Sequence, residues 1–440
     1  MNEIEKKVTA DPYNGYIYSY PHKKSYRYFP QKYSLKEIWA DEVMENITLY
    51  LHIPFCKKKC AYCNLLSTNS CSKQKIEGYL AQLKNELKEL KDSLNLNDSS
   101  FSELVIGGGT PLFISDNDLD ELLKACREIL NLDFEKINFV IEGSPDTLTY
   151  SKMEILKKYS VKRVSIGVQS FVESELKTIN REHTYPYFQR LKDILTREKI
   201  YKNLDLIYGI PEQTLESFEY SLKKLLEFDP EEIFLYPLYI REFSPLKNTP
   251  LNHPLMMEMY QMAVKFLTAN GYHQASMRNF VREDLKDINL GEFAGIGNKM
   301  IGAGCGARSY TSRIHYCREY FEKDENVKRA LEKYISGENI GQVYYGIVPS
   351  ESDWQRRVLM RGLLNVRGIE KTKYQKLFGH MPEDIFPQLK ELEQSGFVSI
   401  DENFVKLTDT GLMYSDSIGN LFISPEVRRR MDEFDEEVLL

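Results

Sequence analysis

The 440-residue sequence has no apolar run long enough to cross a bilayer, for which a helix needs about 20 consecutive apolar residues. Its start, Met-Asn-Glu-Ile-Glu-Lys-Lys, lacks the apolar core of a secretory leader. Cysteine is sparse: seven residues, an odd number, argue against a disulfide framework in a chain of this size. A cytoplasmic, reducing location with no membrane partner is therefore expected. Excess positive charge is also missing, since 58 Lys and Arg against 65 Asp and Glu leave a net charge of −7. That disfavours a general nucleic-acid binder, which needs clustered cations to neutralise phosphates. The acidic tail from Asp432 to Glu437 reads as a solvated terminus. With 42% hydrophobic residues the chain can bury a large core, and a large domain plus a smaller one is expected.

Three of the cysteines are concentrated in one stretch, Tyr50-Leu-His-Ile-Pro-Phe-Cys56-Lys-Lys-Lys-Cys60-Ala-Tyr-Cys63, directly after a predicted strand. Thiolates in this C-x3-C-x2-C spacing can hold three irons of a 4Fe-4S cluster and leave the fourth open to a chelating ligand. A zinc site stays open at this point: Cys71 or His52 would have to complete it, and alternation places His52 on the strand.

Strands and helices alternate from about residue 47 to 240. Ile47 to His52, Ser102 to Ile106, Ile137 to Glu142, Arg163 to Gly167, Asn203 to Ile207 and Glu232 to Tyr239 read as strands. Between them lie helical faces such as Ile76, Tyr79, Leu80, Leu83, Leu87 and Leu90, with Ser72 as N-cap. The expected fold is α/β, a partial (β/α)6 TIM-like barrel with its site at the carboxyl ends of the strands. Gly107-Gly-Gly-Thr-Pro111 follows the second strand, where glycines let the backbone approach a ligand or merely make a tight turn. Glu142 ends the third strand, Gln169 follows the fourth, and Asp205 interrupts the apolar fifth, where a carboxylate needs a partner.

Together with Asn180-Arg-Glu-His and Asp205-Leu-Ile-Tyr-Gly-Ile-Pro, these motifs resemble the oxygen-independent coproporphyrinogen III oxidase family of radical S-adenosylmethionine (SAM) enzymes. The resemblance implies that Cys56, Cys60 and Cys63 ligate a 4Fe-4S cluster and that SAM chelates its open iron. Such enzymes cleave SAM reductively to a 5'-deoxyadenosyl radical, with electrons from a donor such as flavodoxin or ferredoxin. Tyr50, Gly109, Thr110 and Glu142 match residues that hold this first SAM; Tyr62, Gly108, Gln169, Arg181, Asp205 and Pro237 match residues lining a second. Related enzymes that bind two SAM molecules include methylases and cyclopropanases, so methyl or methylene transfer to a small metabolite, or a related radical modification of one, is the expected reaction. Oxidative decarboxylation of a porphyrinogen and haem binding by the chaperone branch of the same family are the alternatives.

Two departures bear on that choice. Where the chaperone branch carries an H-N-x-x-Y-W segment, this chain reads Phe293-Ala-Gly-Ile-Gly-Asn-Lys-Met-Ile301, without histidine. In the loop Gly302-Ala-Gly-Cys-Gly-Ala-Arg308-Ser-Tyr310, Arg308 stands near the place of an apolar residue that touches the first SAM in the oxidase. Cys305 is a candidate hydrogen donor or covalent participant, or a small buried turn residue. Arg241, after the sixth strand, is a candidate anchor for a substrate carboxylate or phosphate, or a member of a surface salt bridge. The tyrosine-rich arm Pro12 to Arg27, with His22, Lys23 and Arg27 interleaved, is expected to pack on the barrel or cover its mouth. The arm (1–46), barrel (47–245) and connecting segment (246–350) lead to a C-terminal α+β winged-helix-like cap (351–440), read as a lid rather than a DNA reader.

Overall fold

Apolar and β-branched strands that are covered on both faces drive the central architecture. In the computed structural model, which describes residues 2–15, 19–96, 100–286 and 299–439, six such strands lie parallel in chain order. They are β1 (Ile47–Ile53), β2 (Phe101–Gly108), β3 (Asn138–Gly143), β4 (Arg163–Gln169), β5 (Tyr201–Tyr208) and β6 (Glu232–Pro237). In β1 every residue but Tyr50 is buried. Helices cover the outside, and Asp116–Leu130 shows how each is specified. Ser115 accepts from the Asp118 amide at its start, acids occupy its first turn, Leu119, Leu122, Leu123, Cys126 and Leu130 are buried, and Asn131 at φ 54° ends it.

The sheet runs well beyond the six expected strands. Met300–Ala303 adds a seventh parallel strand on the free edge of β1, with Met300 opposite Thr48 and Ala303 opposite Leu51. Antiparallel strands Arg308–Tyr310, His315–Cys317 and Gln342–Ile347 follow, and the arm strand Arg27–Ser34 closes this side by pairing with Gln342–Ile347. On the opposite edge, Asn279–Arg282 and Tyr272–Gln274 lie antiparallel after β6. The result is one sheet of 13 strands among the described residues. The segment read as a connection thus supplies six of those strands.

The C-terminal part contains helices Glu351–Leu363 and Lys371–Phe378 and the antiparallel hairpin Val398–Ile400 with Phe404–Leu407. The stretch that follows is divided into two short helices, Pro382–Ile385 and Gln388–Gln394. Pro387 explains the break, because it holds Phe386 outside helical geometry at φ −121°, ψ 83°. The arm fastens this part to the barrel. Tyr20 donates to Asp353 at 2.7 Å, the Ser417 hydroxyl to the Asp11 carbonyl at 2.6 Å, and Tyr13 meets Tyr208, the last residue of β5, edge to face.

Candidate cluster and cofactor site

β1 ends at Pro54, and the chain then folds back so that the cysteine loop closes on itself. The Cys56 amide donates to the Thr68 carbonyl at 3.0 Å and the Thr68 amide to the Pro54 carbonyl at 2.8 Å. Across the mouth, Ala61 donates to the Ile179 carbonyl at 3.0 Å and Asn180 to the Lys59 carbonyl at 2.6 Å. The glycine loop after β2 packs directly against this turn: Gly109 donates to Ile53 at 2.8 Å, Thr110 to Phe55 at 2.9 Å, and the Thr110 hydroxyl lies 3.6 Å from the Cys56 sulfur. A Cβ on Gly109 would sit 2.9 Å from that sulfur, and one on Gly108, at φ 119°, would strike the His52 ring. Both positions require glycine for contact with the cysteine loop.

This geometry engages both side chains that could complete a zinc site. His52 is buried with both ring nitrogens engaged, by the Tyr50 hydroxyl at 3.0 Å and the Leu66 carbonyl at 2.8 Å, and burial lowers its pKa to about 4. Cys71 turns its sulfur to the Thr68 and Cys56 carbonyls. Among the described residues no three His, Cys, Asp or Glu side chains are gathered tightly enough to enclose a single metal ion. In a cluster each thiolate binds a separate iron, so the three cysteines serve without a fourth side chain. Burial pushes the Cys56 thiol up to about 12 and raises Cys63 as well, so their thiolates need a cationic centre to form.

Inside the barrel, Glu142 on β3 receives the Gly108 amide at 3.2 Å, and a Cβ on Gly107 would lie 2.9 Å from its carboxylate. Burial lifts Glu142 to about 7. Burial, with Glu142 nearby, does the same to Asp205, which accepts from Asn203 at 2.7 Å. Gln169, at φ 72° where β4 ends, is buried with its side-chain oxygen unpartnered. Arg181 donates to the Gly167 carbonyl at 2.5 Å and interacts with Tyr62 and Cys60, which ties this group to the cysteine loop. Pro237 ends β6 beside Tyr208. An unpartnered buried acceptor and two carboxylates short of donors suit a ligand bearing an ammonium group and ribose hydroxyls. The residues present therefore fit SAM.

Three other candidates make their contacts outside this group. Arg308 donates to the arm's Ser19 at 2.8 Å. Arg241 stacks on Tyr239 with 5.6 Å to the ring centre and forms no salt bridge among the described residues, so the surface-pair reading fails. Cys305 is 1% exposed and faces the outer helix Lys73–Leu94, its amide donating to Tyr79 at 3.0 Å while the Gly304 amide donates to Glu86 at 2.8 Å. It is not brought to the mouth, because the turn aims it into the helix layer. Phe293 to Asn298, where the chaperone segment was compared, and Tyr16 to Tyr18 of the arm lie outside the described residues. Sequence reasoning also missed Lys23, which is buried with its ammonium 3.4 Å from the Asn64 carbonyl, next to Cys63. The only signal for it was the basic interleaving of the arm.

Residues 50–225 match the model of the Radical SAM superfamily, and residues 351–414 that of the HemN C-terminal domain. The chain is 27% identical to the heme chaperone HemW of Bacillus subtilis (strain 168) over 395 residues, covering 85% of this chain and 98% of that protein. To the oxygen-independent coproporphyrinogen III oxidase of Pseudomonas aeruginosa it is 27% identical over 424 residues, covering 90% and 88%. The solved structure of coproporphyrinogen III oxidase (HemN) from Escherichia coli shares the fold, with a TM-score of 0.75 at 22% identity over 87% of this chain and 92% of that one. Chaperone and oxidase relatives stand at the same identity, so overall likeness does not choose between them.

Proposed function

We propose, from a chain that belongs to the radical SAM superfamily and so carries the implied 4Fe-4S cluster and SAM, that it is an enzyme binding two SAM molecules and transferring a carbon unit from the second to a small molecule. The observation that carries this reading is the buried, unpartnered oxygen of Gln169 grouped with Arg181 and Asp205 beside the cysteine loop. When bound and reduced by a one-electron donor such as flavodoxin or ferredoxin, cluster and SAM together supply a 5'-deoxyadenosyl radical. Cys56, Cys60 and Cys63 hold the cluster, and the backbone bonds across Pro54, Thr68 and Ile179 fix their spacing. Tyr50, Gly109, Thr110 and Glu142 form the wall for the first SAM. Glu142 can accept from its ammonium, and Gly109 brings backbone within contact of the cluster loop. Tyr62, Gly108, Gln169, Arg181, Asp205 and Pro237 form the second wall, where Arg181 pairs a carboxylate and Asp205 accepts from ribose hydroxyls. Arg241 lies at the mouth, where it can hold an acidic group of the substrate.

Equilibrium dialysis of anaerobically reconstituted protein against labelled SAM tests this directly. Two SAM per chain are expected, falling to one in Arg181→Ala; one in the wild type overturns the reading. On turnover with substrate, 5'-deoxyadenosine together with S-adenosylhomocysteine is expected. Methionine without S-adenosylhomocysteine would assign an oxidase-type reaction, and stoichiometric haem binding without SAM cleavage would assign a chaperone like the HemW relatives.

A further inference from the structure

Gln169 reaches its place by an irregular route. β4 carries one extra residue against β5 between Gly167 and Gln169, and Gln169 takes a left-handed backbone, at φ 72°, which costs free energy in any residue but glycine. The turn lays its amide over Gly167, where a Cβ would come within 2.5 Å of the Gln169 Nε2 and 3.4 Å of the Arg181 guanidinium. Such a conformation persists only when neighbouring bonds hold it.

Those bonds lead to Glu175. Ser170, the next residue, is fully buried, and its hydroxyl donates to Glu175 at 2.6 Å. With that proton committed, the same oxygen accepts the Val172 amide at 2.9 Å and closes the turn behind Gln169. Gln213, past the end of β5, donates to the same carboxylate oxygen at 2.9 Å and to the Ile207 carbonyl at 3.3 Å, while its own oxygen accepts the Gly209 amide at 2.8 Å. Ser217 donates to the other carboxylate oxygen at 2.5 Å. Glu175 is 4% exposed and forms no ion pair among the described residues. Packing alone would favour an apolar residue there. An ionised carboxylate only accepts, so it dictates which way the Ser170 hydroxyl and the Gln213 amide point.

We propose that Glu175 is a positioning residue, which through Ser170 and Gln213 fixes the carboxyl ends of β4 and β5 so that Gln169 presents its amide to a bound SAM. It touches no ligand itself. Its carboxylate joins the two strand ends that carry Gln169 and Asp205, and so sets the spacing of that wall. This rests on the reading above that Gln169 faces SAM and adds the group that holds it there.

The test is a double-mutant cycle on SAM binding, read by equilibrium dialysis of the anaerobically reconstituted full-length protein against labelled SAM. Glu175→Leu and Gln169→Ala are each expected to weaken one bound SAM by roughly tenfold, the scale of one lost buried hydrogen bond, and the double variant to weaken it no further than the stronger single. Glu175→Gln keeps an acceptor for Ser170 and Gln213 and can donate to the Ser217 hydroxyl, so it should bind SAM as the wild type does. Ser170→Ala, which removes one hydroxyl, runs the same cycle if Glu175→Leu does not fold. Losses that add in the double variant, or a lowered melting temperature with SAM affinity unchanged in Glu175→Leu, would make Glu175 part of the scaffold alone and overturn the proposal. A wild type that holds one SAM yet shows the coupled loss overturns the two-SAM reading and leaves the positioning role standing; two SAM with additive losses does the reverse.

Discussion

The two ends of the barrel are built from similar side chains and treat them oppositely. At the amino ends of the strands, Arg163 meets Glu232 at 2.6 Å, Asn279 donates to the same carboxylate at 2.9 Å, and Glu103 accepts from Thr48 and Asn138. At the carboxyl ends, Lys23, Glu142, Asp205 and Arg241 form no ion pair among the described residues, and burial raises Glu142 and Asp205 to about 7. Arg163 and Glu232 at the floor are matched with each other, whereas Glu142, Asp205 and Arg241 at the mouth form no ion pair among the described residues. The floor should therefore answer to mutation in stability, and the mouth in chemistry.

Cys63→Ala carries the largest expected effect. Iron and sulfide content after reconstitution and SAM cleavage should both fall to background, while the far-ultraviolet circular dichroism stays that of the folded protein. Next is Arg163→Ala at the floor, which strands Glu232 with its charge buried and should cost about 3–5 kcal/mol in denaturant unfolding. An unchanged midpoint would erase the distinction between the ends. Glu142→Gln follows. The folded-state pKa of Glu142, about 7, lies above its ordinary 4.5, so its contribution is fully present below about 4.5 and is lost as pH rises through about 7. Stability of the ligand-free wild type should therefore fall across that window, by an amount on the order of a few kcal/mol, and the variant should flatten the slope. Smallest is Cys305→Ala, expected to cost about 1 kcal/mol for the lost buried sulfur and to leave SAM cleavage unaltered, read by 5'-deoxyadenosine yield. A large loss of cleavage would return this cysteine to the chemistry.

Much of the barrel is legible in the sequence because its strands are continuous apolar runs and its helices carry caps and one apolar face. The expected strands Ile47 to His52, Arg163 to Gly167 and Asn203 to Ile207 lie within the observed Ile47–Ile53, Arg163–Gln169 and Tyr201–Tyr208. The short strands Met300–Ala303, Arg308–Tyr310 and His315–Cys317 leave no such trace: three or four residues show no period, and only pairing makes them strands, the first on β1, the second on the first and the third between the second and Gln342–Ile347. The cysteine triplet and the glycine loop are legible from spacing alone. Lys23 is not, since its burial comes from the arm folding over residues hundreds of positions away, and local pattern holds no record of that contact. Cys305 illustrates the converse, a residue whose chemistry suggested the mouth while its turn points it into the helix layer.

The late strand Met300–Ala303 bears on how the protein is made. As the chain emerges from the ribosome, β1 through β6 can align, yet the outer edge of β1 keeps a row of unpaired amides and carbonyls until that strand arrives. An open parallel edge of buried-type residues is a template for pairing with other chains, so truncation before residue 300 should yield aggregates rather than a smaller working barrel. The segment that joins the two halves of the molecule thus completes the edge of the barrel sheet.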